Sequence, residues 1–410
     1  MENNLSTGRK YFLVFLLALM FSAAYLLPYI KYVFYEPLLV ALNTTNEKAG
    51  FLLTAYAVMN TLTLIPGGWF SDKYSPKKII VFSSIGTGLL NLLLSFSTNY
   101  PTAVVVWIGL GFTTIFAFWG AVIKAVRLLG DENEQGRLYG FYTGFQGVIN
   151  TVAALVATFI MSKFADMTLG FKGVLMFYAA ICIGSAILFQ IYYPEELDSA
   201  GRNEDAKAVS LSDIFVVLKM PATWLMSFMI FSIYGVFSGS TFMTPYVENA
   251  VGIVGVLGTI IAIFRTYLAR AIFAPVGGIV ADKNKKLMSN IILWSLLSAL
   301  SFLVLNLFGT SLSNVVVVVI ILLSSAVIYM NFGVMWAVAE ELKVPRHLYG
   351  TMIGVASIIG YLPDMFMHTM FGRWLDAYGV AGYQNIFYFL IALCMIGVVT
   401  GLVIKNRSKQ

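Results

Sequence analysis

Charge is scarce in this chain: Asp, Glu, Lys and Arg together make up 11% of its 410 residues, against about 25% in an average soluble protein. A set of soluble domains, or a disordered chain, needs more. Cysteine is nearly absent, and Cys182 and Cys394 both lie inside apolar runs, so neither a disulfide framework nor a cysteine metal site is expected. The two histidines are His347 and His368, too few for a His-rich metal centre. No GxxxxGK[ST] loop and no GxGxxG fingerprint occurs, which argues against an ATP-driven pump and a dinucleotide enzyme. No cofactor and no enzymatic constellation is expected. The net charge of +6 sits in short loops and needs no nucleic acid to explain it.

What the chain has in excess is apolar sequence, 59% of it, enough for twelve spans at about 20 residues each. Twelve runs are expected to cross a lipid bilayer, at 11–40, 48–70, 77–96, 102–127, 138–162, 172–193, 219–245, 251–280, 286–308, 314–339, 348–371 and 384–405. Each reads as a helix, because backbone polar groups in hydrocarbon must be satisfied within their own segment. A β-barrel strand would alternate in polarity, and VVVVVIILL at 315–323 does not. The first run continues past Tyr25 to Val40 without a small-residue cleavage site, so it reads as a retained span. With the N-terminus in the cytoplasm, eighteen Lys and Arg fall on the inner side. The outer side holds four, Lys48, Lys163, Lys172 and Arg373. The positive-inside rule then expects both termini in the cytoplasm, at the plasma membrane.

One polar stretch, 194–218, divides the spans six and six. GGWFSDKYSPKK at 67–78 returns as GGIVADKNKK at 277–286, placing Asp282 opposite Asp72 at an offset of 210 residues. LYG followed by Gly four residues later, at 138–144, returns at 348–354 with the same offset. Two motifs sharing one displacement imply a parallel repeat. The expected fold is therefore an all-α membrane protein of twelve transmembrane helices in two pseudo-symmetric six-helix bundles. Residues 1–193 form the first bundle, 194–218 a cytoplasmic linker and 219–410 the second.

Twelve spans in two halves, with Gly68-x-x-x-Asp72-Lys73-x-x-x-Lys77-Lys78 between spans two and three, resemble the major facilitator superfamily. Ser75 and Pro76 depart mildly from the usual loop, lysines replace arginines, and the second copy is shorter. The resemblance implies a latch: Gly68, Asp72 and Lys73 in the loop, Asp282 in its repeat, and Arg127 as candidate partner of Asp72, favouring one access state. YLLPYIKYVFYEPLL at 25–39 resembles the first span of the organic-anion and sugar-phosphate branch. Either Lys31 or Tyr32 matches that branch's usual arginine.

A charge in the bilayer interior costs at least about 2.5–3.5 kcal/mol and so marks a functional hypothesis. Arg265 lies twelve residues before Gly277, about 18 Å along a helix, and is expected to face a cavity and bind an anion. A structural ion pair is its bland alternative. Arg270 points roughly 140° away from Arg265, where snorkelling, latching and substrate contact all suit it. Lys124 is expected to snorkel at the inner end of span four. Lys31 is placed in the outer half of the cavity beside Tyr29 and Tyr32, in a helix that Pro28 kinks. Ser357, Tyr361, Asp364 and His368 fall on one helical face. Asp364, with His368, is the expected carrier of a coupling proton, and neutralisation of Arg265 by Asp364 is the competing account. Further polar stripes are Tyr56, Asn60 and Thr63 on span two, Tyr142, Gln146 and Asn150 on span five, and Tyr234, Ser238 and Thr241 on span seven. Each suits substrate hydroxyls or helix–helix contact equally. Asn60 and Gln146 lean to substrate, because a full amide is harder to satisfy between helices.

These residues together point to a secondary transporter of a small organic anion, such as a sugar acid, carboxylate or phosphate ester. Arg265 and Lys31 would clamp the cargo, Tyr361 would line the path, and a proton or sodium ion would be the coupling partner. A monomer suffices. A proton-driven exporter of drugs or neutral solutes is the rival reading, and a non-transporting membrane sensor the second.

Overall fold

The computed structural model describes residues 6–130, 134–200, 211–309, 311–342, 344 and 348–407. His347, Arg346 and most of the polar stretch after Ala200 lie outside them. Among the described residues the regular structure is helical throughout. Ten stretches are long and apolar enough to cross a membrane, one of which, Thr351–Arg407, covers two spans. Asn46–Lys73, more polar and interrupted by Pro66, supplies the remaining helix of the twelve.

The run at 315–323 shows why apolar sequence becomes helix here. Val317 is buried, whereas Val315 and Val319 are exposed, within one helix, Asn314–Gly333. Two apolar faces, one towards protein and one towards lipid, remove any need for amphipathic patterning. Helix ends carry their own donors and acceptors. Ser75 Oγ accepts from Lys78 N–H at 3.1 Å, and Asp166 Oδ1 accepts from Thr168 N–H at 2.7 Å, satisfying first-turn amides.

Several spans expected to be continuous are broken. Span one is a helix over Thr7–Leu26, a 3-10 turn over Ile30–Tyr32 and a second helix over Tyr35–Leu42. Pro28, lacking an N–H, cannot continue the first helix, and its freed carbonyl accepts from Trp107 Nε1 at 3.2 Å. The break replaces the simple kink expected at Pro28 and puts Lys31 in a turn. Span four divides into Tyr100–Ile115 and Phe118–Arg127, with Ala117 in the left-handed region at φ 59°. A Cβ on Gly67 would lie 2.6 Å from Ala117 N, so only glycine lets span two approach this break. Span eleven divides into Tyr349–Gly360 and Pro363–Tyr378, with Pro363 at the first helical position, where its missing N–H costs nothing. Span eight runs over Gly255–Ile263, a π turn at Phe264–Leu268 and Ala269–Asn284.

The chain divides into two compact units. One comprises Met1–Thr44 with Ala55–Ala208, the other Thr45–Thr54 with Val209–Gln410. The first turns of Asn46–Lys73 cluster with the second unit because Asp376 caps them. Its carboxylate accepts from Asn46 N–H at 3.0 Å and from Glu47 N–H at 2.8 Å. Small residues permit that approach: a Cβ on Gly372 would fall 2.2 Å from Asn46 O, and one on Gly50 2.1 Å from His368 O.

Candidate functional site

In the second unit, span seven brings Tyr234 and Ser238, one helical turn apart, against the start of the second helix of span eleven. Asp364 occupies the first turn of that helix, where the helix dipole favours a negative charge. Tyr234 Oη donates to Asp364 Oδ2 and Ser238 Oγ donates to Asp364 Oδ1, both at 2.5 Å. His368 Nε2 lies 2.9 Å from Ser238 Oγ and 3.4 Å from Asp364 Oδ1. A hydroxyl has one proton. With Ser238 donating to the carboxylate, His368 Nε2–H must donate to Ser238. Protonating Asp364 reverses the chain: the carboxyl donates to Ser238 and Ser238 donates to His368. His368 is fully enclosed and stacked on Phe242, with ring centroids 5.8 Å apart.

Tyr361 stands in the joint between the two helices of span eleven, its ring 4.4 Å from that of Tyr234. Three members of the expected stripe, Tyr361, Asp364 and His368, thus come together. Ser357 instead donates to Ile353 O of its own helix at 2.7 Å, as serines in apolar helices often do.

The two arginines of span eight fare differently. Arg265, in the π turn, is 1% exposed. It donates to Ser240 O at 3.1 Å, Thr244 Oγ1 at 3.0 Å and Thr266 Oγ1 at 3.3 Å. Its guanidinium thus bonds residues of spans seven and eight, while Asp364 is held by Tyr234, Ser238 and His368. Arg270 is exposed, with its guanidinium 5.8 Å from the Phe237 ring centroid and 5.1 Å from that of Phe332. Guanidinium over an aromatic face is a favourable pairing that leaves the fork's N–H donors available. The Phe237 ring lies 5.8 Å from that of Tyr234, whose hydroxyl donates to Asp364, so the exposed cation and the carboxylate network share one neighbourhood. Their 140° separation on the helix was visible in the sequence, but which of the two faced open space was not.

In the first unit, Lys31 is 3% exposed in the turn Ile30–Tyr32. Tyr29, half-buried, sits among Tyr32, Tyr56 and Tyr25 with ring centroids 5.0, 5.7 and 6.2 Å away, forming an aromatic cluster. Tyr25 Oη donates to Thr114 O at 3.0 Å, and Tyr56 Oη bonds Thr114 Oγ1 at 2.8 Å. Asn60, with its amide nitrogen turned towards them, donates to Gly111 O and Tyr56 O, both at 3.3 Å. The amide is therefore satisfied between helices, against the expectation that it would need a substrate. Gln146 is half-buried on span five, one turn beyond Tyr142.

Around the loop motif, Lys73 Nζ lies 5.0 Å from the Trp69 ring and 5.8 Å from that of Tyr74. The side chain of Asp72 lies outside the described residues. Gly68 faces open space, and Gly67 makes the close approach. Arg127 is exposed, and its carbonyl accepts from Gln135 Nε2 at 2.9 Å. Lys124 does more than snorkel: Nζ donates to Ser71 O at 3.0 Å, fastening the inner end of span two. Asp282 is exposed near the end of Ala269–Asn284.

The fold and sequence have known relatives. The chain is 30% identical over 391 residues to the inner membrane protein YqcE of Escherichia coli, covering 93% of this chain and 91% of that one. It is 29% identical over 413 residues to the inner membrane protein YihN of the same organism, covering 98% and 97%. A shorter match, 22% over 170 residues and 39% of this chain, joins it to the probable sulfoacetate transporter SauU of Cupriavidus necator, 36% of which is covered. The solved structure of a bacterial homologue of the lysosomal transporter Spinster superposes with a TM-score of 0.73 at 13% identity, covering 98% of both chains. The profile of the Major Facilitator Superfamily matches residues 11–368. Matched over most of its length, with an all-helical membrane architecture to suit, the chain belongs to the Major Facilitator Superfamily and is a multi-pass membrane protein of that transporter family.

Proposed function

We propose that the chain moves a small organic anion by alternating access, coupled to a proton carried on Asp364. The observation that carries this reading is the placement of Arg270, an exposed cation bedded on Phe237 and Phe332 beside Tyr361 and the Asp364 network. A sulfonate, carboxylate or phosphate meets two N–H groups of an arginine fork at once. Arg270 therefore takes the contact first expected of Arg265, which is occupied by Ser240 and Thr244. The partial match to a relative named a probable sulfoacetate transporter supports an anionic cargo. Within the first unit, Lys31, Tyr29 and Tyr32 are proposed to act through the tyrosine cluster, and Gln146 to offer an amide to cargo hydroxyls.

Coupling follows from the hydrogen-bond chain. An ionised Asp364 receives Tyr234 and Ser238; a protonated one must donate, which turns Ser238 towards His368. Charge at Asp364 also sets how strongly Arg270 and the neighbouring tyrosines are polarised. Cargo and proton thus bias the same few side chains, as coupling between two ligands requires. Gly68, Asp72, Lys73, Arg127 and Asp282 are proposed to bias the access states at the inner loops, and the eighteen-to-four distribution of cations supports cytoplasmic termini.

The test is uptake of sulfonates and carboxylates of two to six carbons into proteoliposomes. Arg270→Gln should weaken competition by anions about 10- to 100-fold, whereas Arg265→Gln should retain it in the protein that folds. Equal transport of charged and neutral analogues, unaffected by Arg270→Gln, would discard the anion reading in favour of neutral-solute export.

A further inference from the structure

We infer that the first unit carries a binding site for one anionic phospholipid, in a groove beside the loop motif. The proposal stands apart from the cargo reading. The groove, about 890 Å³, is lined by Phe70, Phe82, Phe112 and Phe116, with Lys73 and Lys78 at its loop end.

Its shape follows from the break in span four. Because Ala117 is left-handed, Phe112 and Phe116 stack on one side of the break, with centroids 4.7 Å apart. Phe70 packs on Phe116 from span two at 5.1 Å. Phe82 stands out into the membrane, 77% exposed. The result is an aromatic trough with room for acyl chain, running from the loop end towards the middle of the span. Lys78 and Phe82 are one helical turn apart and share a face, so one molecule passing Phe82 reaches Lys78.

The lysines supply the second observation. Three neighbouring lysines at this end are already engaged: Lys77 Nζ with Glu195 Oε1 at 2.6 Å, Lys10 Nζ with Glu134 Oε2 at 2.7 Å, and Lys124 with Ser71 O. Asp198, near the start of span three, is spent too, since its Oδ1 accepts from Ser75 Oγ at 2.6 Å and from Lys77 N–H at 2.9 Å. Lys73 and Lys78 pair with no carboxylate among the described residues, and Lys73 rests on Trp69 and Tyr74. Two ammonium groups bordering one apolar trough ask for a ligand whose anion and hydrocarbon belong to one molecule. A basic pocket between spans on the side bearing the basic loops is where an anionic headgroup is held. Lys73 belongs to the loop motif, so occupancy of the groove would bear on the access states through it.

The test uses the purified full chain with equimolar phosphatidylglycerol and phosphatidylcholine of identical acyl chains, counting retained lipid by native mass spectrometry. The unmodified protein should retain phosphatidylglycerol at least five-fold over phosphatidylcholine. The K73Q/K78Q variant should bring the ratio close to one, and the K163Q/K172Q variant, altered at the other end of the bundle, should keep it. Phe82→Ala with Phe112→Ala should lower retention of both lipids together. Equal retention by the unmodified protein, or an undiminished preference in K73Q/K78Q, overturns the site. Displacement by millimolar glycerol phosphate would also overturn it, by showing a site for soluble anions. Should the lysine variant fail to fold, the unmodified protein still decides. Brominated phosphatidylglycerol should quench tryptophan emission more than brominated phosphatidylcholine, and the excess should vanish in Trp69→Phe. No difference between the two lipids refutes the proposal.

Discussion

Replacing Asp364 with Asn tests the coupling mechanism most directly. The side chain keeps its volume but loses its charge, and one oxygen becomes an NH2 donor. Asp364 now receives two hydroxyl donors at 2.5 Å. After the change, either Tyr234 or Ser238 faces a donor instead of an acceptor. Losing one hydrogen bond to a charged group costs about 1.5–3 kcal/mol, so thermal stability should fall without abolishing the fold. The transport effect should be qualitative. With one coupling proton per cargo, each unit of pH difference across the membrane supplies about 1.36 kcal/mol, a tenfold accumulation. Proteoliposomes with an acidic exterior should therefore accumulate cargo up to tenfold per pH unit with the unmodified protein. Asp364→Asn should show no pH-driven accumulation, yet should still exchange cargo across the membrane in counterflow without a gradient. Unaltered accumulation would place the proton elsewhere. Loss of counterflow along with accumulation, in a folded variant, would make Asp364 part of the cargo path and refute a coupling role separable from it.

Arg270→Gln should raise the KM for anionic cargo about 10- to 100-fold, the range of one charge-assisted contact. Arg270→Lys should recover part of the loss, since an ammonium keeps the charge without the fork. Arg265→Gln should instead lower the melting temperature, because Ser240 O and Thr244 lose a charged donor. Asp376 gives a pH prediction. Burial raises its carboxyl, but the N–H of Glu47 and the side chain and N–H of Asn46 outweigh that and hold it below the usual carboxylate range. A folded value beneath the unfolded one means that the cap's contribution is complete above about pH 4 and lost as pH falls through the folded value. Thermal stability measured from pH 5 to 3 should therefore drop more in the unmodified protein than in Asp376→Asn. An equal drop would show that the cap contributes nothing. Gly277→Ala should destabilise by about 1–3 kcal/mol as overpacking does, since the new Cβ would fall 2.3 Å from Met330 O; unaltered melting would show that the helices separate freely there.

The twelve spans and the 210-residue repeat were legible because length and hydropathy are properties of whole segments. The polar stripe on span eleven was legible for a related reason: in a lipid-facing helix Tyr361, Asp364 and His368 have no bland place to go. What could not be read was decided by tertiary context. Arg265 and Arg270 have the same chemistry, and only the packing of Ser240, Thr244, Phe237 and Phe332 separates the enclosed one from the exposed one. Asn60 seemed to need a cargo until Gly111 O and Tyr56 O were brought within reach. The capping of Asn46–Lys73 by Asp376 links positions 330 residues apart and leaves no local trace. The break at Ala117 has no Pro within it, and the residue that accommodates it, Gly67, lies on another span.

The widened turn at Phe264–Leu268 gives span eight a mechanical consequence. Everything from Ala269 inward inherits its azimuth from the residue count in that turn, at about 100° per residue. Deleting one residue there would swing Arg270 off its two rings and carry the second loop motif round with it, while Ala262 and Ile263 stayed where they are. A single-codon change in length would thus re-aim half a helix without replacing any side chain along it.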